Sequence, residues 1–393
     1  MESWTVAGVE LATAAAGLRY RNRDDLLLFG FAPGSQCAAT FTRNAFCAAP
    51  VTVARQHLAT TPPRYWLINA GNANAGTGAR GLADAKHCCA ALATLGNCAP
   101  EAVLPFSTGV IGEYLPLERL TAALPALQQA LKPTGWEQAA RAIMTTDTQP
   151  KLVRRHCQLG DQTVTLIGIA KGAGMIHPNM ATMLAFIATD AALDQPELQR
   201  CLNQAVADSF NSITIDGDTS TNDACVLAAT GKVPISSPQE LERFSENLNA
   251  LCLELATAIV RDGEGATKLV TVEVIEADTA EEARRVAETI ALSPLVKTAL
   301  YAADPNWGRI LAAVGRAGID ALEINKVSIW LDAVCIVANG ERAADYREEH
   351  GKQVMAQDAL TIRVQLGRGT AKARLLTCDL STEYVRINAE YRT

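Results

Sequence analysis

Between residues 164 and 187 the chain alternates, breaks and then runs apolar, an order that requires two strands joined by a loop. Val164-Thr165-Leu166-Ile167-Gly168-Ile169 has strand-like alternation, Met183 to Ile187 is an apolar run, and Lys171-Gly172-Ala173-Gly174-Met175-Ile176-His177-Pro178-Asn179-Met180-Ala181-Thr182 separates them. Gly172 and Gly174 permit backbone angles that other residues avoid, and Pro178 biases His177 away from helix. Such a loop can hold a strained X-Thr peptide ahead of Thr182. On these residues alone a threonine opening a strand is structural, and a catalytic reading needs support from elsewhere.

The rest of the chain has the same grain. Short β-like runs alternate with amphipathic helical stretches, an α/β or α+β pattern without repeats or linkers, although 393 residues allow two or three domains. Leu241, Phe244, Leu248, Leu251, Leu255 and Ile259 fall at steps of three and four and predict a helix over 241–261, with Gly263 placed to cap it. Glu264 follows, before the alternating strand 270–274; a carboxylate at a helix C-terminus is mildly unfavourable, so Glu264 reads first as a solvated turn residue and second as one that a cation compensates. Later segments predict a helix over 280–290 and strands over 213–215, 327–331, 360–366, 371–378 and 384–388. Gly367-Arg368-Gly369 is expected to form a hairpin between two of them.

A net charge of −7, with no basic cluster, excludes a nucleic-acid partner and favours a small-molecule substrate. The eleven cysteines are scattered and odd in number, which fits buried reduced thiols. Met1-Glu2-Ser3-Trp4 lacks the positive start of a signal peptide, and the apolar runs fall short of the ~18 to 20 residues of a bilayer helix. The expectation is a cytoplasmic protein without a membrane segment.

Several segments suggest chemistry and then fail its spacing rules. Asn69-Ala70-Gly71-Asn72-Ala73-Asn74-Ala75-Gly76-Thr77-Gly78 follows an apolar run but matches neither nucleotide-binding fingerprint. Asp216-Gly217-Asp218-Thr219-Ser220-Thr221-Asn222-Asp223 misplaces the glycine of a calcium loop and has Leu227 where a bidentate glutamate belongs, leaving a polar turn. Histidines 57, 87, 156, 177 and 350 have no metal-ligand spacing, and no GxSxG is present, so neither a metal nor a serine triad is implied. Phe106-Ser107-Thr108-Gly109-Val110-Ile111-Gly112 reads as a turn able to present the Thr108 hydroxyl and the Gly109 N–H to one point, as an oxyanion hole requires, although ordinary turns share this composition.

Taken in order, these segments resemble the ornithine acetyltransferase (glutamate N-acetyltransferase) family of arginine biosynthesis, over nearly the whole chain. The motifs that carry the resemblance are 107–112, Met144-Thr145-Thr146-Asp147-Thr148, 171–184, 216–223, Arg261-Asp262-Gly263-Glu264-Gly265-Ala266-Thr267-Lys268, Asp304-Pro305-Asn306-Trp307-Gly308-Arg309 and Ile387-Asn388-Ala389-Glu390-Tyr391-Arg392-Thr393. Gly76 departs from the pattern, since many relatives are expected to carry cysteine there; no role rests on it.

The resemblance implies a four-layer αββα sandwich shared with self-processing aminopeptidases, and cleavage at Ala181-Thr182 into chains 1–181 and 182–393. It implies that Thr182 carries an acetyl group from N2-acetylornithine to glutamate without cofactor or metal, with Thr108 and Gly109 as the oxyanion hole. Thr145, Lys171, Thr182, Glu264, Asn388 and Thr393 match substrate-binding positions, and the assembly is expected to be an α2β2 heterotetramer. Acetyl-CoA as a second donor is left open. So are two other readings: a self-processing amidohydrolase or aminopeptidase in which water takes the acyl group, and a non-catalytic binding protein that never cleaves.

Overall fold

The computed structural model describes residues 4–177 and 183–390. The described residues form two compact units, the first made of those up to 211 together with 218–259, the second of 212–217 together with 260–390. The strands of the first unit are β1 (Val9–Ala14), β2 (Leu26–Phe31), β3 (Gln36–Phe41), β4 (Tyr65–Asn72), β5 (Val103–Val110), β6 (Lys151–Leu159), β7 (Gln162–Lys171), β8 (Leu184–Ala192) and β9 (Ala224–Pro234). Its helices are α1 (Ala49–Leu58), α2 (Gly78–Gly96), α3 (Leu117–Gln129), α4 (Trp136–Ala142), α5 (Gln195–Ala207) and α6 (Pro238–Arg261), the last running into the second unit from Val260.

Two sheets face each other in this unit, one ordered β1-β2-β4-β5 and the other β3-β9-β8-β7-β6. Alternation along β2 explains the layering: Leu27, Phe29 and Phe31 enter the core between the sheets, whereas Leu26 and Leu28 pack outward against α2 and α3. Phe186 of β8 reaches Phe106, Trp66 and Phe29 of the opposite sheet, with ring centroids 5.1, 5.9 and 6.1 Å away. Behind the second sheet, α6 lies so close to β7 that a Cβ on Gly168 would come within 2.8 Å of Leu251 and 3.0 Å of Leu255. Helices outside two packed sheets make the expected αββα sandwich.

The second unit is built on a sheet that the sandwich expectation did not include. Its strands are β10 (Leu269–Ala277), β11 (Ser328–Leu331), β12 (Val334–Ala338), β13 (Glu341–Arg342), β14 (Ala359–Gln365) and β15 (Ala371–Cys378), ordered β13-β12-β11-β14-β10-β15. The helices here are α7 (Ala280–Ala291), α8 (Pro294–Tyr301), α9 (Trp307–Gly315), α10 (Glu348–Met355) and α11 (Thr382–Glu390). Val270, Val272 and Val274 of β10 share a core with Val286 and Ile290 of α7 and Ile310 and Val314 of α9.

Five local expectations are corrected. Residues 384–388 lie in α11, where Arg386 pairs with Glu383 and Glu390 at 2.5 and 2.9 Å, helical spacings that strand alternation concealed. Gly367-Arg368-Gly369 is no hairpin, because β10 lies between β14 and β15, parallel to one and antiparallel to the other. Residues 213–215 contribute only an isolated bridge, Ile213 to Leu376. The segment 106–110 is the buried end of β5 rather than a turn. After α6 the left-handed glycine is Gly265, not Gly263; a Cβ on Gly265 would also lie 2.5 Å from the Tyr384 nitrogen.

All eleven cysteines are free thiols, eight of them buried. Among the described residues no helix is long and apolar enough to cross a membrane.

Candidate active site

The strands predicted on either side of the glycine loop pair directly. β7 ends at Lys171, which sits opposite Leu184 in an antiparallel ladder, so the loop leaves and re-enters one sheet at neighbouring positions. Ala181 and Thr182 lie outside the described residues. Met183, the next residue, is described.

Lys171 is 3% exposed and belongs to a buried charge cluster. Asp147 Oδ1 accepts the Lys151 ammonium at 2.7 Å and the Gly172 N–H at 2.6 Å, and Asp147 Oδ2 accepts the Thr145 N–H at 3.0 Å. Burial pushes the Asp147 carboxyl up, but Lys171, Lys151 and the N–H donors outweigh it and hold the group at about 2. Two predicted binding residues, Thr145 and Lys171, thus meet around one carboxylate that carries no role in the sequence analysis.

Thr108 and Gly109 occupy the end of β5, opposite a bulge at Asn72 in β4. Gly109 has φ +132°, and a Cβ there would lie 2.2 Å from the Gly71 carbonyl carbon, so only glycine fits. A chain of buried polar groups fixes this end of the strand. Ser107 Oγ donates to Asn69 Oδ1 at 2.5 Å, and Asn69 Nδ2 donates to the Asn72 carbonyl at 2.8 Å.

The two sheets are tied together here by the dipeptide that enters β9. Asn222 Nδ2 donates to the Ser107 carbonyl at 2.9 Å and to the Ala73 carbonyl at 2.6 Å, while Asp223 Oδ1 accepts the Met183 N–H at 2.8 Å. The Ala224 N–H returns to the Met183 carbonyl at 3.2 Å. Burial raises the Asp223 carboxyl well above the usual carboxylate range, against the Met183 N–H, the Lys171 charge and a hydrogen bond from the Ser220 side chain. Asn222 and Asp223 were legible only as a polar turn, with no local signal of these distant bonds.

In the second unit Glu264 Oε2 accepts the Asn388 amide at 2.8 Å. The donor is neutral and comes from α11. Thr393 lies outside the described residues. Among those residues no group of three or more His, Cys, Asp or Glu side chains forms a metal site.

The profile of the ArgJ family matches residues 10–393. A protein of Methylococcus capsulatus named arginine biosynthesis bifunctional protein ArgJ is 60% identical over 392 residues, which cover 99% of this chain and 96% of that protein. One of the same name from Pseudomonas fluorescens is 52% identical over 393 residues, covering 99% and 97%. The crystal structure of arginine biosynthesis bifunctional protein ArgJ from Bacillus halodurans is 39% identical, covers 51% of this chain and 96% of its own, and superposes with a TM-score of 0.48. With the family profile matched over residues 10–393 and relatives at 52% and 60% identity over 99% of its length, the chain belongs to the ArgJ family, enzymes of arginine biosynthesis.

Proposed function

We propose that the chain cleaves its own Ala181-Thr182 bond and then moves an acetyl group from N2-acetylornithine to glutamate through Thr182. The class of enzyme, glutamate N-acetyltransferase, follows from the family; the residue roles, the cleavage and the assembly are the proposal. The observation that carries it is the tie from Ser107 through Asn222 and Asp223 to Met183. It supports a reading in which the Thr108-Gly109 oxyanion hole works beside the residue preceding Met183.

In the first step the Thr182 hydroxyl attacks the Ala181 carbonyl, the C–N bond breaks, and the hydroxyl proton ends on the departing nitrogen. Water hydrolyses the resulting ester, leaving an Ala181 carboxylate and a Thr182 that bears both a hydroxyl and a new α-amine. An α-amine has an ordinary pKa near ~8, which suits proton abstraction from the adjacent hydroxyl at neutral pH.

In the second step Thr182 Oγ attacks the acetyl carbonyl of acetylornithine. Thr108 and Gly109 donate to the developing oxyanion, each donor worth roughly 3 kcal/mol. Ornithine leaves with the proton, and the glutamate amine then attacks the acetyl ester to give N-acetylglutamate. Lys171 offers an ammonium to the α-carboxylate common to both amino acids, Thr145 lies beside it, and Glu264, Asn388 and Thr393 complete the binding set. Acetyl-CoA serves as the donor in the second activity of a bifunctional enzyme.

Chains 1–181 and 182–393 remain together, assemble as α2β2 and work in the cytoplasm. Intact mass and a two-donor acetylation assay test the reading: wild type should give both fragments and transfer acetyl from acetylornithine and from acetyl-CoA. Thr182→Ala should stay whole and inert, and a cleaved or active Thr182→Ala protein ends the proposal. Equal acetate release with and without glutamate would instead favour a hydrolase.

A further inference from the structure

Neighbouring residues on one short segment normally serve one local purpose, but Asn222 and Asp223 reach two different parts of the site. Asn222 spends both amide hydrogens on the carbonyls of Ala73, just past β4, and of Ser107 in β5, directly before Thr108. Its Oδ1 accepts the Thr221 hydroxyl at 2.6 Å, which fixes which way the amide faces. Asp223 grips the second sheet through the Met183 N–H, and its own backbone carbonyl accepts the Thr42 N–H at 3.0 Å. Asn222 and Asp223 are 6% and 1% exposed, so neither trades these bonds for water.

We infer that Asn222 and Asp223 form a clamp of two positioning residues that sets the separation between the oxyanion hole and the start of β8, and thereby the rate of both self-cleavage and acetyl transfer. This rests on the assignment of Thr182 as nucleophile. Neither side chain exchanges a proton with the reacting atoms in this scheme. Asn222 acts through donated hydrogens, and Asp223 through the Met183 N–H that it accepts.

That division makes the clamp distinguishable from an acid–base role. Asparagine at 223 keeps a carbonyl oxygen for the Met183 N–H, and it matches the shape of the uncharged carboxyl that burial favours. Alanine at either position removes the hold, and a shift on the order of 1 Å between reacting groups costs about 100-fold in rate. Since both residues set a single distance, their losses should not add.

The test measures the half-time of self-cleavage by intact mass, and kcat and KM per cleaved chain, in Asn222→Ala, Asp223→Ala, the double variant and Asp223→Asn. Expected are losses of about 100-fold in cleavage rate and kcat for each alanine variant, KM for acetylornithine within about threefold, and a double variant close to the worse single one. Asp223→Asn should recover most of the rate. A folded alanine variant with kcat within about threefold of wild type overturns the clamp, as does Asp223→Asn falling as low as Asp223→Ala. Should the alanine variants fail to fold, Asn222→Ser, too short to span both carbonyls, must be slow while Asp223→Asn stays fast; the opposite order rejects the proposal. Thr182→Ala run alongside separates the two ideas. Activity without Thr182 removes the nucleophile, whereas an inert Thr182→Ala beside fully active clamp variants removes only the clamp.

Discussion

The Lys151 ammonium lies 2.7 Å from the Asp147 carboxylate, with the two side chains only 2% and 0% exposed. Removing one member of a buried pair leaves the other charge uncompensated, at a cost of about 3 to 5 kcal/mol. The carboxyl is held at about 2, below its ordinary value of 3.8, so the folded state binds this proton more weakly than the unfolded chain. Its stabilisation is complete above the unfolded value and is lost as pH falls from there through about 2. Asp147→Asn should therefore lower the thermal midpoint strongly at about pH 7 and less at about pH 3. Melting curves across that range check it, and a pH-independent difference rejects the assigned ionisation.

Asp147 also shows where sequence reading stopped. The strands flanking the loop and α6 were legible because alternation and three-four spacing are local patterns, and β7, β8 and α6 fall where those patterns lie. The partners of Asp147 include Gly172, and Asn222 meets Ser107 across 115 positions of sequence, so no window of neighbouring residues reveals either contact. The supposed hairpin at 367–369 failed for the same reason. Its neighbour is β10, and the Leu366 and Arg368 N–H groups bond to Ile275 and Glu276 rather than across a turn. At 384–388 a helix carried its apolar residues at strand-like intervals, and only the charges at 383, 386 and 390 recorded the true period.

Gly109 and Gly112 provide a matched pair of substitutions. Both have positive φ, at +132° and +82°, but a Cβ on Gly109 collides with Gly71 and Asn72 whereas one on Gly112 meets nothing within 4 Å. Gly112→Ala should cost only the local strain of about 1 to 3 kcal/mol and leave self-cleavage intact. Gly109→Ala must move β5 away from β4, which should displace Thr108 and slow cleavage and transfer by about 100-fold or more. Mass analysis of the two proteins after expression decides the matter; an efficiently cleaved Gly109→Ala protein would contradict the placement of the oxyanion hole.

Lys171 tests the shared-carboxylate idea, because in the proposed cycle acetylornithine and glutamate use the site in turn. If its ammonium holds the α-carboxylate of each, Lys171→Met should remove a charged hydrogen bond of about 1.5 to 3 kcal/mol from both and raise both KM values about 10- to 100-fold. Steady-state kinetics with each substrate varied gives the comparison. An increase confined to one substrate assigns Lys171 to that substrate alone, and unchanged values remove it from binding.

The Glu264–Asn388 hydrogen bond joins the turn after α6 to α11, between a half-buried carboxylate and an exposed amide, and substitutions at such solvent-accessible positions change stability little. Substitution there should consequently report on function more than on folding. If the ornithine side-chain amine replaces or joins the Asn388 amide at Glu264, Glu264→Gln should weaken acetylornithine binding while changing the thermal midpoint little. Asn388→Ala should have a smaller effect, since the carboxylate remains. Glutamate lacks that amine, so its KM should change less than that of acetylornithine in both variants. Binding curves for the two substrates, taken in a Thr182→Ala protein to prevent turnover, test the sign of the difference. Equal weakening of both would transfer Glu264 from amine recognition to shaping the site, and unchanged acetylornithine affinity in Glu264→Ala would remove it from the site altogether.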